Sequence, residues 1–67
     1  MVRKRVNGQE IARRMADKGI NQKRMADLAG CGESMVSFIV RDMREPNIGT
    51  LALIADALDC KVDDLLV

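Results

Sequence analysis

Ser34, Ser37, Cys31 and Cys60 carry hydroxyl and thiol groups that in other settings attack carbonyl or phosphoryl centres. Such groups need a neighbouring base, and the sequence has no His, so Ser–His and Cys–His pairs cannot be built. Zinc sites containing His are excluded for the same reason, and two distant cysteines do not supply four metal ligands. Gly30-Cys31-Gly32 is too short for a phosphate-binding loop. No enzymatic activity, cofactor, metal or small-molecule ligand is expected. The chemistry left is recognition by charged, polar and apolar side chains.

Its charge is unevenly placed. Lys and Arg number 11 against 10 Asp and Glu over 67 residues, a net charge of +1 that by itself argues against a polyanionic partner. Residues 1–44 hold ten of the basic groups and five acidic ones, whereas residues 45–67 hold Lys61 and five acidic ones. The two parts therefore carry +5 and −4, an arrangement able to turn a cationic face toward an anion. With 48% hydrophobic and 31% charged residues, the chain suits one small globular domain rather than a disordered segment. Its five-residue apolar run, Leu51 to Ala55, is far below the roughly 20 residues that span a bilayer. No apolar stretch follows the basic start Arg3-Lys4-Arg5, so a cytoplasmic protein with reduced thiols and no membrane partner is expected.

Apolar spacing is helical throughout, and the pattern predicts an all-α fold of five short helices over residues 7–67, preceded by a basic N-terminal arm at 1–6. Asn7 is placed to cap the first helix, with Glu10 as its capping-box partner and Val6 and Ile11 as a hydrophobic staple. Ile11, Ala12, Met15 and Ala16 form its inner face, and Lys18-Gly19 ends it. Asn21 caps a second helix from Gln22 to Ala29 whose inner face is Met25, Ala26 and Ala29. A third runs from about Glu33 to Arg41 with Val36, Ile39 and Val40 inward, and a polar loop follows to Pro46. Asn47 caps a fourth, with Leu51, Ile54, Ala55 and Leu58 buried; a last short helix begins near Lys61.

Residues 21–41 specify a helix-turn-helix: Ala26 lets two steeply crossed helices close, Gly30 permits the bend, and Cys31 anchors the turn. The flanks extend the pattern. Ile11-x3-Met15-x3-Gly19-Ile20-Asn21-Gln22, Met25-Ala26-x3-Gly30-Cys31 and Ser34-Met35-Val36-Ser37-x-Ile39 continue into Pro46-x4-Leu51-x2-Ile54-Ala55-x2-Leu58 and Val62-Asp63-Asp64-Leu65-Leu66. Over roughly residues 7–66 the sequence resembles the lambda-repressor-like (Cro/XRE-type) DNA-binding domains.

That resemblance implies a sequence-specific transcriptional regulator of a bacterium, prophage or mobile element, acting as a repressor. The third helix would enter the major groove of double-stranded DNA. Glu33, Ser34, Ser37 and Phe38 would then face base edges, and Gln22, Lys23, Arg41 and Arg44 would contact phosphates. Arg3, Lys4 and Arg5 would form an arm over the DNA. The partner would be a two-fold-symmetric operator bound by a homodimer, with the apolar Leu66 and Val67 near the dimer contact. No separate sensing domain is expected within these 67 residues.

The sequence also departs from that family. Glu33 and Phe38 replace neutral, basic or polar residues, Val40 and Asp42 replace the common Glu and Gly, Lys61 replaces an N-cap Ser, and Leu28 a polar residue. A carboxylate at 33 can accept from cytosine N4 or simply stabilise the helix start. Glu33, Phe38 and Val40 together suit an alternative: a protein-interaction or antitoxin-like module that uses the same fold to bind a protein partner.

Overall fold

The computed structural model describes residues 5–67. Arg3 and Lys4 lie outside the described residues. Four α-helices, α1 (Gly8–Lys18), α2 (Gln22–Ala29), α3 (Glu33–Val40) and α4 (Ile48–Ala57), are followed by a 3-10 turn at Val62–Leu65.

All four helices start where the sequence predicts, three of them on the predicted asparagine caps. The side-chain oxygens of Asn7, Asn21 and Asn47 accept from the N–H groups of Glu10, Arg24 and Thr50 at 3.3, 2.7 and 2.8 Å. Each satisfies a donor that a helix start otherwise leaves open. Replacing Asn47 by alanine is therefore expected to cost about 1 kcal/mol, or a Tm about 4–8 °C lower by circular dichroism. An unchanged Tm would mean that water replaces this cap without loss. Gly19 and Gly30 end α1 and α2 in the left-handed region, at φ 68° in both. α3 ends at Val40, one residue before the predicted limit, and its N-cap Gly32 offers no side-chain acceptor.

The core gathers Ile11 and Met15 from α1, Met25, Ala26 and Ala29 from α2, Val36 and Ile39 from α3, and Leu51, Ile54 and Ala55 from α4, with Val6, Leu58 and Leu65 closing it. α2 packs on both α3 and α4, while α1 packs on α3 and on the 3-10 turn. Ala16 is exposed rather than on the inner face of α1, and Val40 is half-buried.

Two expectations need correction. The fifth helix is a four-residue 3-10 turn. Its start lacks the usual side-chain cap; Asp64 Oδ2 instead accepts the Lys61 N–H at 3.0 Å. Immediately after it the chain extends to pair with the N-terminus. Val6 and Leu66 form an antiparallel bridge, the Asn7 N–H donates to the Leu65 carbonyl at 2.8 Å, and the Val67 N–H donates to the Arg5 carbonyl at 2.8 Å. That pairing undoes the predicted capping box as well. With the Asn7 N–H already donated to Leu65, Glu10 turns outward and pairs with Arg13 and Arg14. Hydrogen bonds from these two arginines hold the Glu10 carboxyl below its usual range.

Two carboxylates of the loop after α3 complete the frame. Asp42 Oδ1 accepts the Gly8 N–H at 2.8 Å, and Glu45 Oε1 accepts the Val6 N–H at 3.0 Å. Asp42 adopts the left-handed backbone (φ 58°) that a glycine would otherwise supply. The residue in this left-handed turn thereby supplies an anion at the start of α1, where the helix dipole favours it.

Candidate nucleic-acid interface

With Val36 and Ile39 buried against the body of the fold, the opposite side of α3 presents positions 33, 34, 37, 38 and 41 along one stripe. Glu33 and Ser34 are exposed, while Ser37 and Phe38 are half-buried. Gln22, at the first turn of α2, closes one side. Gln22, Glu33, Ser34, Ser37, Phe38 and Arg41 line a single open concavity of about 320 Å³. All four expected base-facing residues and two of the expected phosphate contacts thus meet on one surface.

The other expected contacts sit around it. Lys23 is exposed beside Gln22, and Arg44 is exposed in the loop after α3. Arg5 is exposed too, but its carbonyl is fixed by the Val67 N–H. Leu28 lies on the outer side of α2, at the limit of exposure.

Electrostatics decide which cations remain available. On α1, Arg13 pairs with Glu10 and Asp17, Arg14 pairs with Glu10, and Lys18 lies 3.8 Å from Asp59. Among the described residues, Lys23, Arg24, Arg41 and Arg44 form no ion pair. Three of these four lie within the helix-turn-helix and Arg44 follows it, whereas the three cations of α1 are all paired. Arg24 was missed from sequence: Asp27 three residues later offers a helical ion-pair partner, and the structure leaves that pair unformed.

Arg41 has an unexpected conformation. Its Nε donates to the Ser37 carbonyl at 3.2 Å, its Nη2 donates to Ser37 Oγ at 2.9 Å, and its guanidinium carbon lies 5.5 Å from the centre of the Phe38 ring. Cys31 and Cys60 are half-buried, and burial pushes both thiols further above neutral pH, toward the unreactive protonated form. No helix of the described residues is long and apolar enough to cross a membrane.

The sequence pattern of the Cro/C1-type HTH DNA-binding domain matches residues 10–67. No curated protein sequence matches the chain. Among solved structures, it is similar to the restriction-modification controller protein C.AhdI from Aeromonas hydrophila, with 29% identity over 87% of this chain and 88% of that one, at a TM-score of 0.81. The P22 c2 repressor, solved with synthetic operator 9T, shares 29% identity over 87% and 88% of the two chains, at a TM-score of 0.84. SinR of Bacillus subtilis, a master regulator for biofilm formation, was solved in complex with DNA. It shares 32% identity over 87% of this chain and 94% of that one, at a TM-score of 0.80.

Proposed function

Since the chain belongs to the family of Cro/C1-type HTH DNA-binding domains, we propose that it is a transcriptional repressor that reads a two-fold-symmetric operator as a homodimer in the cytoplasm. α3 enters the major groove, and the start of α2 and the loop after α3 meet the phosphates on either side. The observation that carries this reading is the concavity on the outer side of α3. Gln22, Glu33, Ser34, Ser37, Phe38 and Arg41 converge there, with Lys23, Arg24 and Arg44 beside them, all three free of ion pairs.

The chemistry of that surface divides the work. Serine hydroxyls serve either donors or acceptors on base edges, and a carboxylate at 33 accepts from cytosine N4. Gln22 sits at a helix start, where backbone N–H groups and the dipole favour a phosphate. Lys23, Arg24 and Arg44 supply the sequence-independent attraction.

The test is selection of preferred sites from random duplex DNA, followed by salt titration on the selected site. If a dimer neutralises about six to eight phosphates, the log–log salt slope will lie near −5 to −7. Selection of no preferred duplex, or binding indifferent to salt, would overturn this function.

The protein-interaction alternative loses part of its support. Val40 packs half-buried against the core, and Phe38 lies beside Arg41, which leaves Glu33 as its remaining element on the reading helix. Leu66 also packs against the core, so of the two C-terminal apolar residues only Val67 is free for a dimer contact.

A further inference from the structure

A phosphate contact placed after the reading helix should extend its side chain away from that helix, and Arg41 does the opposite. It folds back along one turn of α3 so that its Nε–Nη2 edge is taken up by the Ser37 carbonyl and hydroxyl. Guanidinium donors form a rigid planar fork. With one edge held, the terminal Nη1–Nη2 edge remains as a preoriented two-donor group inside the concavity. Within the major groove, the acceptor pair that matches such a fork is N7 and O6 of guanine.

A phosphate oxygen pair would match the fork as well, and Phe38 decides between the two. It is the only apolar side chain lining the concavity, and it lies directly beside the guanidinium. A phosphate is recognised without an apolar neighbour. On a major-groove edge, the apolar group a ring can contact is the 5-methyl of a pyrimidine. The ring centre and the guanidinium carbon are 5.5 Å apart, which suits neighbouring base pairs at their rise of about 3.4 Å and not distant ones.

We propose that Ser37, Phe38 and Arg41 form one reading unit for a base-pair step in which a 5-methylpyrimidine adjoins a guanine. Phe38 covers the methyl group, Arg41 takes the guanine N7 and O6 through its free edge, and Ser37 holds Arg41 in place. This assignment rests on the DNA-reading function proposed above, and it moves Arg41 from the phosphate contacts to the specificity-determining residues. The methyl group comes from thymine or from 5-methylcytosine.

The test uses the selected duplex with single modified bases under the α3 position. Deoxyuridine for thymine removes only the methyl, and 7-deazaguanine for guanine removes only N7; each is expected to weaken wild-type binding by about fivefold or more. Cytosine and 5-methylcytosine in place of thymine, each paired with guanine, separate the two methyl sources: methylation of the cytosine is expected to restore affinity. The Phe38→Ala variant should lose the response to the methyl, and Arg41→Lys the response to N7. Arg41→Ala should change the preferred step while leaving the salt slope unaltered. A uniform loss on all duplexes, with the slope reduced by about 1 per protomer, would make Arg41 a phosphate contact and overturn the assignment. A selected site to which wild type binds regardless of methyl and N7 would overturn it too, with the DNA-reading function intact. Failure to select any site would remove both.

Discussion

Replacing Gly8 by alanine is expected to lower the Tm by about 10–20 °C, although alanine is the better helix former. Propensity alone favours the change by up to about 1 kcal/mol. Geometry opposes it. A Cβ on Gly8 would clash with the Ile39 carbonyl oxygen and lie 2.9 Å from that of Val40 and 2.8 Å from Asp42 Oδ1. Two of these atoms belong to the backbone at the end of α3, so relief requires moving α1 and α3 apart. Overpacking of this kind costs about 1–3 kcal/mol. The hydrogen bond from the Gly8 N–H to Asp42, 2.8 Å long, would be lost or stretched, adding about 1 kcal/mol or more. The net of about 2–3 kcal/mol converts to the stated shift at about 4–8 °C per kcal/mol. Thermal melts followed by circular dichroism provide the measurement. A Tm at or above that of the wild type would show that helix propensity outweighs the contact. Because α3 carries the reading surface, affinity for the selected duplex should fall in the same variant.

The second large effect is expected at Leu65, although it belongs to a 3-10 turn rather than to a helix. Its side chain is 0% exposed, and its carbonyl accepts the Asn7 N–H. Leu65→Ala is expected to cost about 2–5 kcal/mol through lost burial and the cavity left behind. A domain of 67 residues has about 3–10 kcal/mol in total, so the variant should lose about half of its stability, read as a much lower midpoint in a urea titration. Val67→Ser provides the contrast. That side chain is 59% exposed, while its backbone N–H still reaches Arg5, so the change should stay within about 0.5 kcal/mol. Equal effects at the two positions would contradict the packing described for the C-terminal segment.

Both predictions lie where sequence reading had least purchase. Neither Gly8 nor Asp42 stood out as a pair, because their contact spans 34 residues of chain. The departure at Asp42 was visible in the sequence, and its consequence was not: an aspartate in the left-handed region reproduces the turn of a glycine and adds a carboxylate at the start of α1. Glu10 illustrates the converse. Its spacing from Asn7 fits a capping box, but the donor it needed is taken by the Leu65 carbonyl, so the carboxylate went to two arginines on its own helix.

The candidate site was more legible than the frame. The buried pair Val36 and Ile39 fixes which side of α3 looks outward, and that side follows from helical spacing alone. The positions expected to face bases therefore emerged together. Spacing could not give the state of Arg41, whose guanidinium had three partners to choose among: solvent, phosphate, and the Ser37–Phe38 turn beside it.

The uneven charge of the chain was also legible, but its meaning changed with the structure. Counting along the sequence assigned the positive excess to residues 1–44 as a whole. Folded, α1 neutralises its own arginines, and Lys23, Arg24, Arg41 and Arg44 in and beside the helix-turn-helix are left without an ion pair.

By itself, then, the sequence determined the four α-helices, three of their caps, the buried stripe of each apart from Ala16 and Val40, and the outward face of α3. All of these depend on residues within about four positions of one another, where helical geometry converts spacing directly into direction. Only the tertiary structure decided how the chain ends pair, why Gly8 must lack a side chain, where Glu10 turns and which cations stay free. Those outcomes are competitions for one donor, one acceptor or one volume between segments far apart in the chain, and the winner is set by what the fold brings within a few ångströms.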